Sequence, residues 1–298
     1  MKLKGNKLMK VPIYVYRIIT KNINILIAPL ILFSMNSCIE KQVEVVECDP
    51  CTSPTTYFGY SPVFTEEFNG VMLGETWSYS LGNGCPDNCG FGTGELQLYK
   101  ANNVTLRDGN LVITAKKETV GTNLYTSGRI TTFDSLSFTY GRMDVRAKLP
   151  KGQGLWPAIW LLGDNTNQVG WPSAGQIFLM QMRGGETDNR DNTIRGGLTW
   201  GERPNPNFVF DNTSLSKGIF NDKFHVFSII WEPSKIQWLL NDRVYLEQKI
   251  DASMNGTFNK PFHLILNLAV GGQFPGNPDS NTSFPQEMVV DYIRVFQK

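Results

Sequence analysis

The chain has 298 residues, 41% apolar and 18% charged content, and a formal net charge of +1. With no basic run beyond the first 21 residues, such a balance excludes a nucleic-acid binder that works through a basic surface. Aromatics at 12%, together with 28 Gly and 16 Pro, predict an all-β protein rich in turns rather than a helical bundle.

Six basic residues (Lys2, Lys4, Lys7, Lys10, Arg17 and Lys21) precede an apolar run at 25–35 that Pro29 interrupts. The run is too short to span a bilayer as a helix and has the form of a signal-peptide h-region. It ends in Met35-Asn36-Ser37-Cys38, which resembles a bacterial lipoprotein processing box with Cys38 as the lipidated residue. The sequence therefore predicts an exported, lipid-anchored protein of the outer membrane or cell surface, with 1–37 as signal peptide. Residues 38–56 are polar, carry Pro50 and Pro54 and show no sustained period, as expected of a tether. Cys48 and Cys51, with Cys85 and Cys89, predict one or two disulfides in an oxidising compartment rather than a zinc site; the connectivity stays open.

From 57 to 298 no break in composition and no repeat appears, which predicts one domain. Residues 104–116 read as a hairpin turning at Asp108-Gly109. Residues 140–149 alternate, with Met143, Val145, Ala147 and Leu149 on a buried face and Arg142, Asp144, Arg146 and Lys148 on a wet one. Residues 224–231 are apolar on both faces, as in a central strand, and Trp231 and Trp238 read as core. Residues 235–240 follow, then a turn at Asn241-Asp242 and a closing strand at 288–296. His225 and His263, the two histidines of the chain, lie in apolar strand-like runs and read as structural rather than as metal ligands. Many strands with short turns and no α/β alternation predict a β-sandwich or jelly roll.

The stretch that carries chemistry is YGRMDVRAKLPKGQGLWPAIWLLG at 140–163, followed by VGWPSAGQIFLMQ at 169–181. It resembles glycoside hydrolase family 16, the laminarinase and lichenase group. Pro62-Val63-Phe64-Thr65-Glu66-Glu67-Phe68-Asn69-Gly70, Gly94-Glu95-Leu96-Gln97-Leu98-Tyr99, Asn267-Leu268-Ala269-Val270-Gly271-Gly272 and Asp291-Tyr292-Ile293-Arg294-Val295 resemble further segments of that family in the same order. The resemblance implies a concanavalin A-like jelly roll with a concave sugar-binding cleft, no required cofactor, and a structural Ca²⁺ at Glu67, Gly109 and Asp291.

In active relatives the strand after Trp-Pro-x-x-Gly reads Glu-Ile-Asp-Ile-Met-Glu: nucleophile, charge partner and acid/base. Side chains on a strand repeat every two residues, so the first two acids share a face; the third, five positions on, needs a bulge at the Met to rejoin it. Here Gln176, Phe178 and Gln181 occupy those positions, and Thr199 stands where the family often has His. A neutral amide forms no glycosyl ester and holds no proton that titrates near neutrality. The sequence thus predicts no catalytic residue at these positions and a non-catalytic protein that binds β-glucan, of laminarin or mixed-linkage type, for polysaccharide uptake with partner proteins. The predicted sugar contacts are Gln176, Phe178 and Gln181, with Trp156, Trp160, Trp171 and Trp200 lining the cleft; for Trp156 and Trp160 a place in the core fits the sequence as well. Two alternatives stand: an altered endo-β-1,3(4)-glucanase using a displaced acid among Glu95, Glu186, Asp188 and Asp191, and a scaffold whose cleft its own loops fill, the loop at 85–92 first among them.

Overall fold

Asp108 and Gly109 both take positive φ, 55° and 69°, the geometry of a two-residue I′ turn, and they join strands Val104–Arg107 and Asn110–Ala115. Asn241 and Asp242 do the same, at 50° and 64°, between Lys235–Leu240 and Arg243–Lys249. These local signals were legible and seed the first of two antiparallel sheets. The computed structural model describes residues 51–298, apart from Asn255 and the side chain of Asn189. The signal segment, Cys38 and most of the predicted tether lie outside the described residues.

The first sheet runs Arg243–Lys249, Lys235–Leu240, His225–Glu232, Gly141–Lys148, Gln286–Gln297, Asn110–Ala115, Val104–Arg107, with Ser61–Glu66 also on Gln286–Gln297. The second carries the site on six strands: β1 (Arg129–Thr131), β2 (Leu155–Gly163), β3 (Gln176–Met182), β4 (Thr193–Gly201), β5 (Pro206–Ser214) and β6 (Phe262–Val270). Their spatial order is β5-β4-β3-β2-β6-β1, with Ser78–Tyr79 beyond β1 and Ser137–Phe138 also on β6. The architecture is the predicted β-sandwich jelly roll. Met143, Val145 and Ala147 from one sheet meet Ile159, Leu161, Ile177 and Leu198 from the other in a single apolar core, which also takes in Trp231 and Trp238.

One predicted wet face is covered. Asp144 is fully buried and Arg142 nearly so, because the chain at 51–60 lies across them. Tyr57 donates its hydroxyl to Asp144 Oδ2 at 2.7 Å, Arg142 Nε donates to Asp144 Oδ1 at 2.8 Å, and the Arg142 guanidinium sits 4.0 Å from the Tyr57 ring centroid. Burial first, then the bond to Asp144, pushes the Tyr57 hydroxyl well above its ordinary pKa and keeps it a neutral donor. Arg146 and Arg294 donate to the carbonyls of Cys51 and Ser53. Residues 51–56, expected in the tether, thus pack on this sheet. Cys85 and Cys89 are bonded to each other, and Cys51 is also in a disulfide.

The expected calcium set does not fit the ion. Both Glu67 oxygens accept from Arg294, at 2.8 and 3.1 Å, and Asp291 accepts from Arg146 at 2.5 Å. A guanidinium already supplies each carboxylate with its positive partner, and a cation placed there would meet Arg146 and Arg294 as like charges. Among the described residues no group of three or more His, Cys, Asp and Glu is placed to hold a metal.

His225 and His263 are structural, as expected: Asn241 bonds His225 Nδ1 at 3.0 Å and Asp164 bonds His263 Nδ1 at 2.9 Å. Burial, with Lys223 nearby, pushes His225 down to about 4. Its folded pKa lies below the ordinary value of about 6.5, so the unfolded chain binds this proton first. The stability it leaves intact above pH 6.5 is lost as pH falls towards 4, on the order of 3 kcal/mol in all. Urea unfolding across that window should show the loss, and His225→Gln should shrink it.

Candidate functional site

The core face of β2, β3 and β4 is set by Ile159, Leu161, Ile177 and Leu198, so the alternate residues face outward. Strand register gathers them into three rows. One row is Thr131, Ile265, Trp160, Phe178, Gly197 and Phe210. A second is Arg129, Asn267, Ala158, Gln181, Arg195 and Asn212. A third is His263, Leu162, Gln176, Thr199 and Phe208. Gln181 reaches the second row because the ladder slips between Phe178 and Gln181, the bulge expected at the Met, which skips Leu179 in the pairing with β2. All three rewritten positions therefore share one face.

Each amide is oriented by an indole. Trp171 donates to Gln176 Oε1 at 2.9 Å and Trp156 donates to Gln181 Oε1 at 3.1 Å. An indole N–H only donates, so it fixes the oxygen end of each amide and leaves Nε2 to donate elsewhere. Between them Phe178 stacks on Trp160, with centroids 5.4 Å apart and planes at 15°, and touches Phe210 at 5.8 Å. Gly197 makes that last contact possible: a Cβ there would stand 2.1 Å from the Val209 carbonyl oxygen and 2.5 Å from the Phe210 ring, at a φ of +157°.

Trp156 and Trp160 thus lie on the outward face, which resolves what the sequence left open. Trp171 stands at the rim, 41% exposed, under the Arg203 guanidinium. Trp200 does not join them. Its neighbour Thr199 faces outward beside Gln176, so Trp200 turns inward and meets Phe258 edge-on in the core. Sequence reading missed Phe208, Phe210, Phe274, Asn267, Arg129 and Arg195. The alternation Phe208, Phe210 in β5 was the available signal, but β5 is a polar edge strand and only its pairing to β4 shows which way those rings point.

Among the candidate acids, Asp191 is spent on structure: its Oδ1 accepts from the backbone N–H of Gly185 at 2.8 Å, and both oxygens accept from that of Gly152 at 3.2 Å. Glu95 accepts from Thr93 Oγ1, Gln97 Nε2 and the Tyr99 hydroxyl at 3.0, 2.7 and 3.1 Å. Tyr99 in turn takes a bond from Asn267, which accepts from Trp160, so Glu95 is tied to the second row. Asp188 lines a pocket with Gln181 and Arg195 at the other end of that row. Glu186 is exposed. The 85–92 loop closes the row at Arg129, where Phe91 packs under the guanidinium, 5.1 Å away, and against Tyr99.

The model of the glycosyl hydrolases family 16 matches residues 95–294. A glucan endo-1,3-beta-glucosidase A1 of Niallia circulans is 35% identical over 80% of this chain and 38% of its own length. A glucan endo-1,3-beta-glucosidase of Cryptopygus antarcticus is 37% identical over 77% of this chain and 89% of its own. The laminarinase catalytic domain of Thermotoga maritima superposes with a TM-score of 0.75 at 39% identity, covering 80% of this chain and 98% of that domain. The chain spans little more than a third of the length of the first curated relatives it matches.

These relatives correct one expectation. Chains named as glucanases match this one at 35–39% identity along most of its length, so a protein without catalysis does not follow from three replaced side chains. What the chemistry closes is one route, a glycosyl ester on residue 176 with proton transfer by residue 181.

Proposed function

Because the chain belongs to glycosyl hydrolase family 16, we propose that it is an altered endo-β-1,3-glucanase that holds its glucan across the three outward rows and cleaves with displaced carboxyl groups. The observation that carries this reading is the shared face of Gln176, Phe178 and Gln181 among Trp156, Trp160 and Trp171. Trp160 is buried between Phe178 and the Arg129 guanidinium, so apolar sugar faces meet the outward edge of this stacked pair and the exposed Trp171 and Phe208 rings, and the amide Nε2 groups donate to hydroxyls. Glu95 and Asp188 flank the second row. The two lie at opposite ends of the row, so each serves the bond at its own end, protonating the leaving glycosidic oxygen while water attacks the anomeric carbon and gives its proton to solvent. The reading also places the protein outside the cytoplasm, anchored through Cys38 to a membrane and serving polysaccharide use, which the pattern of residues 1–38 supports.

Release of reducing ends from laminarin tests the reading. Losing a positioned acid or base costs about 10²–10⁴-fold, so the wild-type rate should be measurable but low. The double change Glu95→Gln, Asp188→Asn should lower it at least about tenfold, while Glu186→Gln should leave it unchanged. No release above buffer, or release that ignores both substitutions, would overturn the proposal.

A further inference from the structure

Arg107, Arg142, Arg146 and Arg294 each hold a carboxylate. Arg183, Arg190 and Arg195 hold none within ion-pair distance among the described residues, yet all three line one pocket together with Gln181, Asp188 and Phe274. The sequence brings them there by different routes. Arg183 follows the last residue of β3, Arg190 lies in the 3₁₀ turn Thr187–Asn192, and Arg195 is the register partner of Gln181 on β4. Like charges gathered with no carboxylate in ion-pair contact are held against their own repulsion, and here the cost is visible. Burial first, then Arg183, lowers the pKa of both Arg190 and Arg195.

The donors are also incompletely used. Arg190 donates to Gln153 Oε1 at 2.8 Å and to the Pro275 carbonyl, but its Nε is buried without a partner, as is the Nε of Arg195. The Arg195 guanidinium is instead positioned by rings, 4.0 Å from the Phe210 centroid and 5.3 Å from that of Phe274, which Arg183 faces from 5.5 Å. A buried donor without a partner is costly unless a ligand completes it. Asp188, and Asp191 behind Arg190, offset two of the three charges and leave the pocket cationic by one. The neutral Gln181 deepens this imbalance, since a carboxylate at 181 would stand directly across the ladder from Arg195.

We propose that the Arg183, Arg190 and Arg195 pocket is an anion subsite at the end of the second row, taking an oxyanion substituent carried by the glucan. A planar guanidinium fork matches a sulfate ester or a carboxylate alike, and Gln181 Nε2 adds a donor at the boundary between the sugar and its charged group. This inference rests on the row as the glucan site and adds the charge class of the glycan.

Calorimetry with three size-matched ligands tests it: neutral laminarin oligosaccharides, the same oligosaccharides sulfated, and the same oxidised to C6 carboxylates. At low salt the wild-type protein should bind a charged form at least about tenfold tighter than the neutral one, with the preferred charged form naming the substituent. Arg183→Gln should weaken the preference at least about threefold while neutral binding stays within about threefold, Arg195→Gln should remove the preference whatever it does to neutral binding, and circular dichroism would confirm that both fold. Equal binding of neutral and both charged ligands, a preference that survives in both variants together, or equal binding of sulfated dextran would overturn the proposal. Failure of the neutral ligand to bind would instead strike at the row as the glucan site, so the two failures are distinguishable.

Discussion

The triple change Gln176→Glu, Phe178→Asp, Gln181→Glu should raise laminarin hydrolysis by about 10²-fold or more over wild type, the largest gain available from this face. The bulge already brings 176, 178 and 181 onto one side, and the indoles of Trp171 and Trp156 already donate to the side-chain oxygens at 176 and 181. A carboxylate at either position would keep that bond. Gln176→Glu or Gln181→Glu alone should give far less, because double displacement needs an ionised nucleophile and a protonated donor together. Arg195 shapes the pH profile of the triple variant. A guanidinium beside a carboxyl at 181 favours the ionised form and lowers its pKa, so the proton donor is lost as pH rises and the optimum sits on the acid side. Adding Arg195→Gln should move that optimum upward. No gain in the triple variant, with its fold intact, would mean that the surrounding groups no longer support the family's route. Phe178→Asp carries a cost of its own, since Trp160 loses the ring stacked on it.

Asp144→Ala should destabilise the fold by about 3–5 kcal/mol, the usual cost of leaving one buried charge without its partner. Arg142 would keep only Asp242, bonded at 2.8 Å through a mostly exposed carboxylate, and the Tyr57 hydroxyl would lose its acceptor. Pairing Asp144→Leu with Arg142→Met removes both charges and should recover a large part of the loss. Urea denaturation of the two variants reads this directly. If Asp144→Ala costs under about 1 kcal/mol, the segment at 51–60 does not seal this face in solution.

What the sequence disclosed and what it concealed follow the range of the forces involved. The hairpin at Asp108-Gly109, the strand at His225–Glu232 and the bulge before Gln181 are written in local period and turn chemistry, and each stands where expected. Asp144 was misread because alternation tells which residues share a face, not what covers it; the cover comes from Tyr57, far away in the chain. Trp200 was misplaced for a related reason. Its partner in register, not its own neighbourhood, decides that Thr199 faces outward. Nothing in local period groups the arginines at 183, 190 and 195, which come together round one pocket only through the pairing of β3 with β4. Replaced acids were legible at once, but the inference from them to an inactive protein reached further than those three residues allow.

The most direct test is the structure of the protein with a bound laminarin hexasaccharide. The account predicts sugar rings lying along the outward edge of the Trp160–Phe178 pair and against Trp171, with Gln176 Nε2 and Gln181 Nε2 donating to hydroxyls and the chain running towards Arg195. An oligosaccharide bound elsewhere, or none bound at millimolar concentration, would contradict it.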